Sequence, residues 1–282
     1  MEKFDFWKNK QKLDDYFFEL VNIVLRFIFF VRGLTGKYQY LKKNIELKDM
    51  FKNQRCFLVA NGPSINNQNL KPLSGEITFF LNRAYKHKDY EFIKPTFHIL
   101  IDNKLATGEW DIDMIDVIIK KNPNVILLLN AKWYSLKKFN KYVNNNQLKI
   151  YWVDISLFTT PFHNKRTIDL KKITYGSGSA TSVAFMSSIY MGISNFYFLG
   201  NDGNGLCHEI LEQDSHFYGK NPDNSLKKIN DIITDLYMMH LSLKHWVYFS
   251  EYCDHIGFNV FNCTEGGIFH MFRRKKFEDV IK

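Results

Sequence analysis

Short apolar runs alternate along most of this chain with polar, helix-spaced or glycine-bearing segments. Cys56–Ala60, Ile77–Leu81, Thr96–Ile101, Val125–Leu129, Ile150–Val153, Phe196–Leu199 and Phe258–Phe261 are each short and largely apolar. This is the pattern of strands buried on both faces of a parallel sheet. Between them, Trp110–Lys120 carries Ile112, Ile115 and Ile119 at helical spacing, residues 132–143 read as a lysine-rich helix, and Thr181–Met191 reads as a helix rich in small residues. Residues 225–254 predict a long helix, whole or broken. Residues 155–175 read as an irregular loop. Residues 201–224 are polar, glycine-bearing and too long for a simple connection, which predicts a lid-like insertion. The fold class expected is α/β and Rossmann-like: a mostly parallel sheet with helices on both faces and a ligand site at the strands' carboxyl ends. No internal repeat is present.

Upstream, Tyr16–Val31 (YFFELVNIVLRFIFFV) has a different pattern. Glu19, Asn22 and Arg26 fall three and four residues apart and form one narrow polar stripe on an otherwise apolar helix. The run is short and charged for a transmembrane span, which needs about 20 apolar residues. Lys8, Lys10, Lys12, Lys37, Lys42 and Lys43 flank it, and basic flanks suit an anionic membrane surface. Docking on a membrane, packing on the protein's own core or a partner, and a true span are the three readings. Residues 38–54 read as a polar connector. The expected organisation is an N-terminal amphipathic docking segment, 1–50, followed by a Rossmann-like catalytic domain, 51–282.

Composition narrows the partners. The 282 residues carry a net charge of +9, which favours anionic partners such as nucleotides, phospholipid headgroups or acidic glycans. The positive charge is spread along the chain without a nucleic-acid-binding motif, so nucleic acid is not an expected partner. Cys56, Cys207, Cys253 and Cys263 form no CxxC pair, which predicts neither a disulfide framework nor a zinc site, and a reducing compartment. Met1–Asp15 is polar and charged, unlike a secretory signal.

The candidate chemistry sits where strands end. Asn61-Gly62-Pro63-Ser64 leaves the first strand. Glycine lets backbone approach a ligand, proline fixes the turn, and Ser64 is placed to cap a helix whose N-terminus favours anions. An ordinary βα turn has the same composition. Asn82 and Arg83 follow the second strand, Asp102 and Asn103 the third, and Asn201 and Asp202 the sixth. Asp102 or Asp202 is suited to a ribose hydroxyl or a metal, or simply to capping a helix. Gly176–Ser182 (GSGSATS) precedes a helix and offers amides and hydroxyls to a phosphate, without the GK[ST] ending of a Walker A loop. His216, within the insertion, is a candidate general base. Asn262–Gly267 (NCTEGG) places Glu265 beside two glycines, suited to a nucleotide, an acceptor or a tight turn.

Taken in order, FLVANGPS, FFLNR, HILIDN, GSGSATS, GISNFYFLGND, SHFYG and NCTEGG resemble the family 42 bacterial sialyltransferases and the broader MptE-like group, whose archaeal members are 6-hydroxymethylpterin diphosphokinases. The resemblance spans roughly residues 55–280. It implies a CMP-sugar donor held by Asn61, Gly62, Ser64, Asn82, Asp102, Ser179, Ala180, Thr181 and Asp202. It implies no tightly bound cofactor and leaves a need for magnesium open. The family's catalytic histidine aligns with Lys220, four residues beyond His216, and a lysine base needs a depressed pKa. The family's phosphate-binding tyrosines are replaced by Gly203-Asn204-Gly205, with Tyr218 as the candidate to take their place.

The function these features imply is transfer of a sugar, of the nonulosonic class by resemblance, from a nucleotide donor to a surface glycan or lipid-linked acceptor. His216, Lys220 and Tyr218 are the candidate catalytic residues. The enzyme is expected in the cytoplasm, peripheral to the inner membrane face through residues 16–31, with a homo-oligomer as an open option. An ATP- and magnesium-dependent diphosphokinase acting on a pterin-like alcohol and a non-catalytic polysaccharide assembly protein are the alternatives.

Overall fold

Cys56, Leu58 and Ala60 face one hydrophobic cluster, and Phe57 and Val59 face a second on the opposite side of the same strand. This period-two alternation explains why the run is apolar throughout: both faces of the sheet are covered. The computed structural model describes residues 6–161, 168–176, 178–220 and 229–281. Its strands are β1 (Arg55–Val59), β2 (Thr78–Leu81), β3 (Phe97–Leu100), β4 (Ile126–Asn130), β5 (Ile150–Val153), β6 (Leu157–Phe158), β7 (Tyr175–Gly176), β8 (Asn195–Leu199), β9 (Asn259–Asn262) and β10 (Arg273–Arg274). Its α-helices are α1 (Phe6–Leu34), α2 (Tyr90–Ile93), α3 (Asn103–Thr107), α4 (Met114–Lys121), α5 (Asn140–Val143), α6 (Ala180–Tyr190), α7 (Gly205–Ile210), α8 (Ile229–Ile256) and α9 (Phe277–Val280).

The central sheet has the order β10-β9-β8-β1-β2-β3-β4-β5 with every pairing parallel, and β6 and β7 form a separate small pair. Side chains of α6 and α8 build the cluster on one face. Those of α4, α9 and several short turns build the other. The chain runs outward from β1 to β5, then returns to place β8 on the other side of β1. The crevice at the carboxyl ends of β1 and β8 is therefore the topological switch point, where ligands bind in doubly wound sheets.

All seven sequence-predicted strands form. The lysine-rich segment 132–143 does not form one helix: it is two 3-10 turns, Ala131–Trp133 and Lys137–Phe139, followed by the single turn of α5. Trp133 and Phe139 are both buried, and six residues of α-helix would turn them onto different sides of the helix. The polar connector also folds, as a 3-10 helix over Gln39–Leu47. Leu41, Asn44 and Leu47 are buried from it at the three-residue spacing that such a helix stacks on one side. Asn44 Nδ2 donates to the carbonyls of Trp152 and Leu170 at 2.8 and 2.6 Å. Of the predicted loop 155–175, the described part includes β6 and the start of β7, while 162–167 lie outside the described residues, as do 225–228 of the long helix. From Ile229 that helix is unbroken to Ile256.

α1 packs on the body through its polar stripe, the reverse of an ordinary surface helix. Asn22 is fully buried and reads the main chain of Phe158 in both directions: Nδ2 donates to the carbonyl and Oδ1 accepts from the amide, each at 2.8 Å. Glu19 pairs with Arg26 at 3.3 Å and accepts from the Thr160 hydroxyl. Arg26 donates to the Tyr175 hydroxyl at 2.9 Å. Asp15 meets Lys244 at 2.7 Å and the Tyr248 hydroxyl at 2.6 Å, which ties α1 to α8. The outward face carries Leu13, Phe17, Leu20, Val24, Phe27, Val31 and Leu34 at alternating four- and three-residue steps, with Tyr16, Ile23 and Phe30 alongside, all exposed. Among the described residues no helix is long and apolar enough to cross a membrane.

Candidate nucleotide site

The Asn61–Ser64 loop leaves β1 directly into the switch-point crevice. The Gly62 amide donates to the Gly200 carbonyl at 2.8 Å, which joins the loop to the end of β8. A β-carbon at Gly62 would collide with the Asp202 carboxylate and the Gly200 carbonyl. Its φ of −62° is ordinary, so close approach alone demands glycine here. Pro63 opens a 3-10 turn, Pro63–Asn67, whose N-cap is Gly62 with no side-chain cap. The expected helix-capping role of Ser64 is therefore not realised. Ser64 instead lies inside the turn and its amide donates to Asp202 Oδ2 at 3.3 Å.

Asp202 is the buried acid of this crevice. Its backbone carbonyl accepts from the Ile268 amide at 2.7 Å. Gly267, with φ +68°, packs flat against the Asp202 backbone where a β-carbon would not fit. Burial raises the Asp202 pKa above the ordinary carboxylate value, and the Ser64 contacts, His208 and Arg274 pull it back. Arg274 holds the NCTEGG loop closed by donating to the carbonyls of Thr264 and Gly266 at 2.9 and 2.7 Å. A small cavity of about 230 Å³ opens between these parts, lined by Ser64, Asp202, Asn204, His208 and Glu265 among others.

Asn61 and Asn82 meet at the ends of β1 and β2. Asn61 Nδ2 donates to the Leu81 carbonyl at 3.2 Å. Asn82 sits at φ +46°, a conformation asparagine tolerates better than most residues. Its carbonyl is held by His98 Nε2 at 2.8 Å, and His98 Nδ1 meets the Tyr90 hydroxyl at 2.9 Å. Burial pushes the His98 pKa down to about 4, so the ring is neutral near neutral pH. A carbonyl only accepts, so the proton is on Nε2 and the Tyr90 hydroxyl donates to Nδ1.

The insertion folds back over this loop. The Phe217 amide donates to the Asn61 carbonyl at 2.9 Å and Asn66 Nδ2 donates to the Phe217 carbonyl at 2.8 Å. The Phe217 ring packs on buried His87. His216 and Gly219 close a tight antiparallel turn. His216 Nδ1 meets the Ser215 hydroxyl at 2.8 Å, and its ring lies 4.8 Å from that of Tyr218, which also has Lys86 Nζ 5.4 Å from its centroid. Lys220 is exposed at the end of this turn, and residues 221–224 of the insertion lie outside the described residues.

The remaining predicted residues divide. Ser179 caps α6 by accepting from the Ser182 amide at 3.2 Å, and Ala180 and Thr181 form its first turn. Because α6 feeds the parallel strand β8, it runs back across the sheet and opens at the strands' carboxyl end. Ser177 of the GSGSATS segment lies outside the described residues. Asp102 caps α3 through Lys104 at 3.0 Å, the structural alternative weighed for it from sequence. Sequence reading missed Asn204, His208 and the Tyr90–His98 pair. The one signal was a histidine inside the apolar run of β3.

Asn61 Oδ1, Asn82 Oδ1, Asn201 Nδ2, Asp202 Oδ1 and Asn204 Oδ1 are buried and have no hydrogen-bond partner among the described residues. Native interiors leave few such atoms unpaired. These five, four acceptors and one donor, cluster at the ends of β1, β2 and β8, where a polar ligand entering the crevice would satisfy those it reaches. Compared with models of known protein families and with curated proteins, the chain matches none.

Proposed function

We propose that this protein is a glycosyltransferase that takes a sugar from a nucleotide donor, CMP-linked by the sequence resemblance, to a glycan or lipid-linked acceptor. The observation that carries the reading is the cluster of unpaired polar atoms from Asn61, Asn82, Asn201, Asp202 and Asn204 at the switch point. The nucleotide lies along Asn61–Ser64, with the amides of α6's first turn and the Asn204–His208 side of the crevice within the same rim. Asp202 serves the nucleotide's hydroxyls as an acceptor.

In the transfer step the acceptor hydroxyl loses its proton to His216. Its oxygen forms the new bond to the anomeric carbon, and the carbon–oxygen bond to the phosphate breaks with its electron pair on the phosphate. Tyr218, against His216, takes part in positioning. Lys220 is the secondary candidate for the base. The protein works in the cytoplasm against the membrane's inner face, and the outward apolar face of α1 supports that placement.

Incubation with CMP-linked sugars and a broad acceptor panel, with and without EDTA, tests the reading. The expected result is CMP release that depends on acceptor, persists in EDTA and falls at least 100-fold in His216→Ala. Turnover of ATP with magnesium and silence on every CMP-sugar would overturn it in favour of the diphosphokinase.

A further inference from the structure

A second and larger cavity, of about 580 Å³, lies between the C-terminal half of α1 and the segment that leads into β7. Its walls are mostly apolar, from Phe29, Phe30, Leu34, Leu157, Ile168 and Ile173. Among its described lining residues two are cations, Arg26 and Lys172. Arg26 is held in place by Glu19 and Tyr175. Asp169, the one carboxylate among the described lining residues, sits 3.8 Å from Lys172.

We infer that this groove takes the hydrocarbon chain of a lipid-linked anionic acceptor, with its phosphate facing Arg26 and Lys172. Phe30 and Leu34 line the groove and are also exposed on the outward apolar face of α1. One continuous apolar surface therefore runs from the solvent face of the helix into the cavity. That is a route for a chain leaving a bilayer, and it gives the inverted orientation of α1 a purpose. Thr174 and Tyr175 also line the groove. In sequence, Ser179 at the start of α6 follows four residues after Tyr175. The volume is in the range of small-molecule sites. The inference rests on the transferase reading for the word acceptor, but the groove and its charges stand without it.

Gly33 supplies the variant. It lines the groove, and a β-carbon built there meets nothing within 4 Å, so Gly33→Phe adds bulk at the groove without a clash at its root. The probe is farnesyl phosphate, titrated below its micelle concentration, with farnesol and the two-chain lipid phosphatidylglycerol as comparisons. Wild type is expected to bind farnesyl phosphate saturably and more tightly than farnesol. Gly33→Phe weakens it at least 10-fold at unchanged melting temperature, and Lys172→Gln weakens it several-fold without affecting farnesol. No saturable binding, equal binding by Gly33→Phe, or displacement by phosphatidylglycerol overturns the inference. CMP binding is measured on the same preparations: its presence with farnesyl phosphate failing sinks the groove alone, and its absence sinks the transferase reading alone.

Discussion

Gly62 lies flat against Asp202, with the amide of Ser64, two residues on, donating to the same carboxylate at 3.3 Å. The contact joins the ends of β1 and β8 across the switch point, so the loop's shape and the acid's position are set together. A methyl group at Gly62 must push one of them aside. Gly62→Ala is expected to lose about 1–3 kcal/mol of stability, the usual cost of overpacking, and to lose nucleotide binding as well. Denaturant unfolding and a nucleotide titration on the same protein check both. An alanine variant of full stability would show that the loop can move away from Asp202.

Asp202 has a pKa raised by burial. Between the ordinary carboxylate value and this raised one, the folded state binds more protons than the unfolded state, so stability falls as pH rises through that window. Asp202→Asn removes the buried charge and keeps an oxygen for the Ser64 amide. It is expected to melt higher than wild type at neutral pH, with the gap closing as pH falls below the ordinary carboxylate range, while ligand binding is lost. Melting curves across pH check this.

His98 titrates in the opposite sense. Its folded pKa of about 4 lies below the unfolded value of 6.5, so below pH 6.5 the unfolded chain takes up a proton that the native one refuses. Stability present above pH 6.5 is lost progressively towards pH 4, by up to about 3 kcal/mol. His98→Asn is expected to flatten that part of the pH–stability profile. It also releases the Asn82 carbonyl, so nucleotide affinity falls although His98 is not itself at the crevice surface.

The two faces of α1 make contrasting predictions. Asn22→Leu strips partners from the part-buried Phe158 amide and carbonyl, at about 1 kcal/mol for each hydrogen bond lost. Phe27→Glu, on a side chain 66% exposed, is expected to change stability by no more than about 0.5 kcal/mol. It should instead abolish co-sedimentation with anionic vesicles. Vesicle binding unchanged by Phe27→Glu would mean that the outward face meets something other than lipid.

The sheet was legible because strands buried on both faces leave uninterrupted apolar runs, and the polar ends of β1, β2 and β8 marked the crevice for the same reason. The orientation of α1 was not. Glu19, Asn22 and Arg26 define a stripe, but only the partners Phe158, Thr160 and Tyr175, far along the chain, decide that the stripe faces inward. The segment 132–143 failed because charge and length suggested a helix while Trp133 and Phe139 required two turned segments. His208 carried no sequence signal: it reaches the crevice only because α7 folds beside the Asn61–Ser64 loop. Asp102 had the right type and position for a ligand contact, and the α3 amide of Lys104 uses it as a cap.

Calorimetric titration of CMP in EDTA, with wild type and Asn61→Ala side by side, tests the central claim most directly. Asn61 Oδ1 is one of the unpaired atoms of the crevice, and Asn61→Ala keeps the loop's main-chain bonds to Gly200 and Phe217 while losing the Nδ2 bond to the Leu81 carbonyl. The account predicts saturable, metal-independent binding to wild type and at least a 10-fold loss in Asn61→Ala. Binding of equal strength in both, or none to wild type, would contradict it.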